Sequence, residues 1–246
     1  MNLDGKTLEG KKIGILAGDG FEYAELAVPK AALKAAGAEV EVISLHEGRI
    51  RGMNLTEPTT TVRVDRLVDH ATVNQYDGLL IVGGFVGPDF VRQHQRARSF
   101  VRAFDEASKP IATLCHGPWV LISAGCANGR RLASWPGVRD DIVNAGGIWR
   151  DEPLVRDRNW VSSRSPADLP VFVPAIIQLF AQGAEAPATG ALASASTADE
   201  SSPPPREPIR LAVTAARHLP SPTVAALAGA AIALTVGAIA VNRMLT

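Results

Sequence analysis

Cysteine is scarce in this sequence, and aromatic residues and any surplus of charge are scarce as well. Two cysteines among 246 residues cannot build the disulfide framework of a small secreted protein, and we expect no basic, apolar, cleavable leader at the start. Lysine and arginine together number 25, as do aspartate and glutamate, so net charge would not attract nucleic acid. We therefore expect a reducing compartment for the main domain and no nucleic-acid partner.

The histidines show no spacing typical of a metal site. Four of the five lie apart from paired cysteine, aspartate or glutamate ligands, and they are His46, His70, His94 and His218. A structural or catalytic zinc site normally needs three or four such ligands at regular spacing. We expect neither a metal nor a cofactor.

One stretch, I-A-T-L-C-H-G-P-W-V-L at residues 111–121, combines a buried strand, a tight turn and a helix start. In α/β proteins such a turn can hold a nucleophile above the carboxyl edge of the sheet. Cys115 occupies the turn, and a helix N-terminus would lower the pKa of its thiol. A small buried thiol at a strand end is the alternative.

Strand-like and helix-like segments alternate along residues 11–182. Segments that we interpret as strands lie at 12–17, 40–43, 77–82 and 111–114, with β-like pieces at 154–156 and 160–163, and helical segments lie at 22–36, 97–107, 138–145 and 169–181. The turn-rich residues 46–60 indicate a hairpin or a surface loop. This alternation predicts an α/β fold in which helices cover both faces of a parallel sheet.

A glycine pair, Gly83-Gly84, ends the strand at 77–82. Backbone can approach a ligand closely at glycine, so the pair could supply oxyanion donors. A tight turn between strand and loop explains it equally well.

The composition changes after residue 182. Residues 183–208 are rich in Ala, Ser, Thr and Pro without apolar periodicity, which predicts a disordered linker, and we extend this linker and juxtamembrane segment to residue 223. Residues 224–241 carry no charge and are just long enough to span a membrane, although an amphiphilic or core-like helix is the alternative. We therefore expect a transmembrane helix at 224–241 that anchors a cytoplasmic catalytic domain.

Four motifs together resemble the PfpI branch of the class I glutamine-amidotransferase-like superfamily. They occur in the family's order and lie within residues 11–182, and they read G-D-G-F-E-Y-A-E-L, I-V-G-G-F-V-G-P-D-F, C-H-G-P and S-R-S-P-A-D-L-P. Four motifs in register are far more specific than one. The resemblance implies a flavodoxin-like α/β/α sandwich with a doubly wound sheet, homodimers or larger assemblies, and cysteine-dependent chemistry.

The resemblance also implies roles for individual residues. Cys115 is similar to the family nucleophile, and His116 to the histidine beside it. Glu22 resembles the acidic residue that holds the thiolate, a task for which it must stay protonated and donate a hydrogen bond. Asp89 lies where many members place a glutamate that reaches the histidine of a neighbouring subunit. The backbone N–H groups of Gly84 and His116 resemble the oxyanion donors.

Three function classes follow from this resemblance, and all three would use the same thiolate. The first is a deglycase or glyoxalase-like stress enzyme that acts on small carbonyl adducts of glyoxal or methylglyoxal. The second is an intracellular cysteine peptidase that acts on peptides. The third is a redox-sensing or chaperone-like stress protein without enzymatic activity. We expect the first.

Overall fold

The computed structural model describes residues 7–183 and 201–203 of the chain. The strands are β1 Lys12–Leu16, β2 Phe21–Glu22, β3 Glu39–Ser44, β4 Arg49–Asn54, β5 Glu57–Arg63, β6 Arg66–Leu67, β7 Gly78–Ile81, β8 Ile111–Leu114, β9 Arg131–Leu132, β10 Ile148–Trp149, β11 Val155–Asp157 and β12 Trp160–Ser163. The α-helices are α1 Tyr23–Ala35, α2 Gly87–Gln93, α3 Gln95–Glu106, α4 Pro118–Ser123, α5 Arg139–Asn144 and α6 Leu169–Gln182.

Seven of these strands form the central sheet, in the order β11-β12-β8-β7-β1-β3-β6. Every neighbouring pair is parallel except β11 and β12, which form an antiparallel edge. The predicted flavodoxin-like α/β sheet is therefore confirmed, and β11 is the one departure from a purely parallel arrangement within it.

Helices cover both faces of the sheet because alternate residues of each central strand point to opposite sides. Leu80 and Ala112 belong to the apolar cluster that includes residues of α1 and α6. Leu79, Ile81 and Ile111 belong to the second cluster, with residues of α3, α4 and α5. Buried on both faces, these strands have the nearly continuous apolar sequence that made them recognisable.

One segment agrees with an alternative that the sequence left open, and one helix was not expected. The segment at 46–60 forms β4 and the start of β5, an antiparallel hairpin that agrees with one of the two alternatives left open for it. Helix α2 was not expected, because its Gly-Pro-Asp start, separated by two residues from the glycine pair, has the composition of a loop. Proline is nevertheless well suited to the first turn of a helix, where its missing N–H would have no partner.

The membrane prediction requires a correction. Residues 224–241 lie outside the described residues, as does most of the predicted linker. Within the part of the chain that the structure describes, no helix is both long enough and apolar enough to cross a bilayer. This finding contradicts the membrane-anchored localisation, which we withdraw.

Candidate active site

Cys115 occupies a sharp turn between β8 and α4. Its φ of 57° lies in the left-handed region, which is rare for residues other than glycine and clusters at functional sites. Its N–H donates to Ser163 O at 3.2 Å, and its carbonyl accepts from Trp135 N at 2.9 Å. These bonds to two other segments hold the turn in place, and only 6% of Cys115 is exposed.

Glu25, in the first turn of α1, provides the carboxyl group at the Cys115 thiol. The side chain is fully buried and interacts with the thiol. Its Oε2 accepts a hydrogen bond from Gly83 N at 2.9 Å. Its Oε1 is buried without a conventional hydrogen-bond partner in the described part of the chain. The thiol is therefore the remaining polar group with which this carboxyl can interact.

Gly83 and Gly84 bring the end of β7 against this pair. The Gly84 N–H donates a hydrogen bond to the thiol. Gly84 has a φ of 104°, and a Cβ there would lie 2.5 Å from Glu22 N and 2.6 Å from Gly20 O. No larger residue fits this conformation, so glycine is what allows the N–H to reach the sulfur.

The protonation of Glu25 decides how it acts on the thiol. Burial, with a contribution from the charge of Glu22, raises the pKa of Glu25 well above its ordinary value. Burial also raises the pKa of the Cys115 thiol, and a charged Glu25 would raise it further. Because a neutral carboxylic acid donates a hydrogen bond, protonated Glu25 removes this repulsion and stabilises the thiolate instead. The lowered thiol pKa expected from the sequence stays a prediction.

Glu22 has a different position from the one expected for it. The structure places it at the boundary of β2 and α1, where its Oε2 accepts from Leu55 N at 2.9 Å in the turn between β4 and β5. It is 5% exposed, and burial raises its pKa to about 7. Glu22 thus joins the hairpin to the domain, and its effect on Cys115 is electrostatic and longer in range.

His116 lies directly beside the nucleophile. Its Nδ1 lies 3.2 Å from Cys115 Sγ, and its ring is packed by Phe85, Trp119 and Trp135, with ring centroids 4.7, 4.9 and 5.7 Å away. Burial lowers the pKa of His116 to about 4. The imidazole is consequently neutral at pH 7 and able to accept the thiol proton.

The sequence of this domain has counterparts in known proteins. Residues 11–179 match the sequence profile of the DJ-1/PfpI family. The chain belongs to the DJ-1/PfpI family. The resemblance drawn from the four motifs is thereby confirmed.

Several relatives in the DJ-1/PfpI family match this chain over nearly their own full length. The "Deglycase TK1284" of Thermococcus kodakarensis is 40% identical over 168 residues, which cover 68% of this chain and 98% of the relative. The "Protein/nucleic acid deglycase 2" of Escherichia coli K12 is 37% identical over 164 residues, covering 66% and 93%. A solved two-domain protein from Anabaena variabilis, with DJ-1/ThiJ/PfpI-like and ferritin-like domains, superimposes with a TM-score of 0.65 at 32% identity. That match covers 68% of this chain and 47% of the Anabaena chain.

Asp89 is a second predicted site residue that has no hydrogen bond to Cys115 of the same DJ-1/PfpI domain. It is exposed in the first turn of α2, and its carboxylate accepts from Gln93 Nε2 at 3.0 Å. Among residues 7–183 and 201–203, no carboxylate is hydrogen-bonded to His116. The role of Asp89 across a subunit interface stays a prediction.

Glu25 is the residue that the motif comparison missed. The stretch F-E-Y-A-E-L holds two glutamates three residues apart, which places both on one side of a helix start. The sequence signal was the second glutamate, because it falls inside α1, where residues are buried between helix and sheet. Arg164, in the fourth motif, forms ion pairs with Asp168 and Asp151 at 3.0 and 2.9 Å.

Proposed function

We propose that this chain is a cysteine-dependent hydrolase of the deglycase type that acts on small carbonyl adducts of glyoxal or methylglyoxal. One observation carries the proposal: Cys115, at a left-handed turn, is contacted by the Glu25 carboxyl, the Gly84 N–H and the neutral His116 ring. The names of the Thermococcus and Escherichia relatives support the deglycase class. Glyoxal and methylglyoxal adducts are our finer proposal within that class.

The first chemical step follows from the contacts of Cys115. The sulfur attacks the carbonyl carbon of the adduct, so that an S–C bond forms and the C=O π bond breaks. The thiol proton moves to Nδ1 of neutral His116, which lies 3.2 Å away. The electron pair moves to the carbonyl oxygen, where the N–H groups of Gly84 and His116 are our proposed oxyanion donors.

Some residues of the site activate the Cys115 sulfur, and others position the His116 ring. Protonated Glu25 and the Gly84 N–H both stabilise negative charge on sulfur before attack. The rings of Phe85, Trp119 and Trp135 restrict the rotation of His116 and exclude water around it. Removing water strengthens each of these hydrogen bonds.

The test compares adduct turnover with peptide cleavage in one preparation of the full-length chain. Purified protein is supplied with methylglyoxal adducts of a thiol, an amine and a peptide, and in parallel with casein. We expect release of the free amine or thiol, little cleavage of casein, and loss of turnover in Cys115→Ala. The matched control is Cys126→Ala, since Cys126 is also buried and free and burial raises its pKa to about 12.

Two results would contradict the proposal. Equal turnover by wild type and Cys115→Ala would mean that the reaction does not use this thiol. Cleavage of casein without turnover of any adduct would favour the peptidase alternative, which uses the same attack on a carbonyl carbon.

A further inference from the structure

Two residues beyond α6, Ser201 and Ser202, form hydrogen bonds with the catalytic domain. The contacts are made along the edge of β10 that faces away from β9. Ser202 N donates to Trp149 O at 2.8 Å, and Trp149 N donates to Ser201 Oγ at 3.0 Å. Asp151 N donates to Ser202 Oγ at 3.1 Å. Each hydroxyl therefore accepts a backbone N–H.

The backbone of β10 explains why this edge accepts another segment. Ile148 N donates to Arg130 O, and Arg150 N donates to Leu132 O, so both residues face β9. Trp149 lies between them and directs its N–H and carbonyl to the opposite side, as alternation along a strand requires. An unpaired strand edge of this kind is a template for an added extended segment.

Arg139, the first residue of α5, adds a side-chain contact to the docked segment. Its Nε donates to Ser202 O at 2.9 Å, and its guanidinium lies 6.0 Å from the centre of the Trp149 ring. With this bond, both the N–H and the carbonyl of Ser202 are paired with the domain. The recognition thus combines backbone pairing with two serine hydroxyls.

From these contacts we infer that the outer edge of β10 is a binding site for a Ser-Ser segment, and that Ser201 and Ser202 of the same chain occupy it. The segment can reach the edge within one chain. The 18 residue steps from Gly183 to Ser201 span up to about 60 Å when extended, whereas a domain of this size is only about 40 Å across.

The docking site is close to the wall of the Cys115 site. The indole Nε1 of Trp149 donates to Ser134 Oγ at 2.9 Å, and the next residue, Trp135, stacks on His116. Docking therefore places Ser201 and Ser202 near the aromatic residues that surround the catalytic histidine. The DJ-1/PfpI profile matches residues 11–179, so the segment lies beyond the family domain.

Hydrogen exchange of the full-length chain tests this inference. Ser201→Ala/Ser202→Ala removes both hydroxyl acceptors, and Ser194→Ala/Ser196→Ala is the matched control with the same change in composition. We expect the N–H groups of Trp149 and Asp151 to exchange at least about tenfold faster in the first variant and at the wild-type rate in the second. The amides of β8 report whether each variant stays folded.

Three results would overturn the inference. One is unchanged exchange at Trp149 and Asp151 when both serines are replaced and β8 remains protected. Another is equally fast exchange in the Ser194→Ala/Ser196→Ala control. The third is protection in the wild type that disappears on dilution, because this would mean that the segment of a second copy fills the edge. Protection that is independent of protein concentration supports docking within one chain.

Discussion

The carboxyl group of Glu25 lies against the thiol of Cys115, and the Gly83 N–H holds it there through a 2.9 Å hydrogen bond. Whether Glu25 favours or opposes the Cys115 thiolate depends on whether the carboxyl group of Glu25 is protonated. A neutral Glu25 donates to the thiolate and favours it, whereas a charged Glu25 repels the thiolate. Because the side chain is fully buried, the neutral form is the one that its surroundings favour.

We predict that Glu25→Leu raises the pKa of the Cys115 thiol further. A hydrogen bond to a charged group contributes about 1.5–3 kcal/mol, so its loss corresponds to about one to two pKa units. The measurement is the rate of iodoacetamide labelling at Cys115 as a function of pH. The control is Glu22→Gln, which we expect to change the labelling profile much less.

The direction in which Glu25→Leu shifts the pKa of the Cys115 thiol distinguishes the two protonation states of Glu25. If Glu25 were charged, its removal would relieve repulsion and lower the thiol pKa instead. A larger effect of Glu22→Gln than of Glu25→Leu would restore Glu22 to the role that the sequence motif gave it.

Gly84→Ala should abolish turnover and destabilise the fold. The added Cβ would lie 2.5 Å from Glu22 N and 2.6 Å from Gly20 O, at a φ of 104°. Gly48→Ala is the matched control, since Gly48 has a φ of 88° but open space around its Cβ position. The control should lose about 1–2 kcal/mol of unfolding free energy from the backbone conformation alone, and Gly84→Ala clearly more, as measured by denaturant unfolding. Equal losses in the two variants would mean that the close contacts relax without cost.

The main sheet could be predicted because its strands are buried on both faces. The run from Ile111 to Leu114 is apolar except for Thr113, and the turn at Cys115 follows directly in the sequence. The pairing of Glu25 with Cys115 could not be predicted in this way. It depends on how α1 packs against Gly83 at the end of β7, a tertiary relationship that the spacing of Glu22 and Glu25 does not reveal.

The docked segment was missed for a related reason. Ser201 and Ser202 occur in a stretch whose composition is typical of a linker, and they make their contacts to β10, a strand of only two residues. Nothing in local periodicity distinguishes them from the serines before them. Their partners are Trp149 and Asp151, about fifty positions earlier in the sequence.

Glu22 should make the stability of the protein fall as pH rises through neutrality. Burial raises the pKa of this carboxyl to about 7 in the folded state, so the folded protein binds the proton more tightly than the unfolded chain. The resulting stabilisation is complete below the ordinary pKa of glutamate and is lost as pH rises through about 7. The loss amounts to up to about 3 kcal/mol.

The variant Glu22→Gln tests this pH dependence, because glutamine can still accept the Leu55 N–H but carries no proton to lose. We expect the variant to lose less unfolding free energy than the wild type between about pH 5 and pH 8. Glu57→Gln, at an exposed position of β5, should follow the wild type. A Glu22→Gln curve parallel to the wild-type curve would mean that this carboxyl does not titrate in that range.

An exposed apolar surface adjoins Asp89. Phe85, Val86 and Phe90 are 39%, 43% and 48% exposed, and the ring of Phe85 packs on His116. Clustered apolar side chains on a protein surface often mark an interaction site. The surface supports our prediction that a second copy covers this face and brings its Asp89 to the site.

Subunit mixing tests whether Asp89 acts on the neighbouring chain. We expect Cys115→Ala and Asp89→Ala to be inactive or strongly impaired separately. In a mixed dimer, the Cys115→Ala chain would supply Asp89 to the intact Cys115 of its partner. Random exchange in equal amounts should then restore about a quarter of the wild-type sites, because half of the dimers are mixed and each has one complete site. Exchange verified by mass spectrometry without any recovery of turnover would contradict the role of Asp89 across the interface.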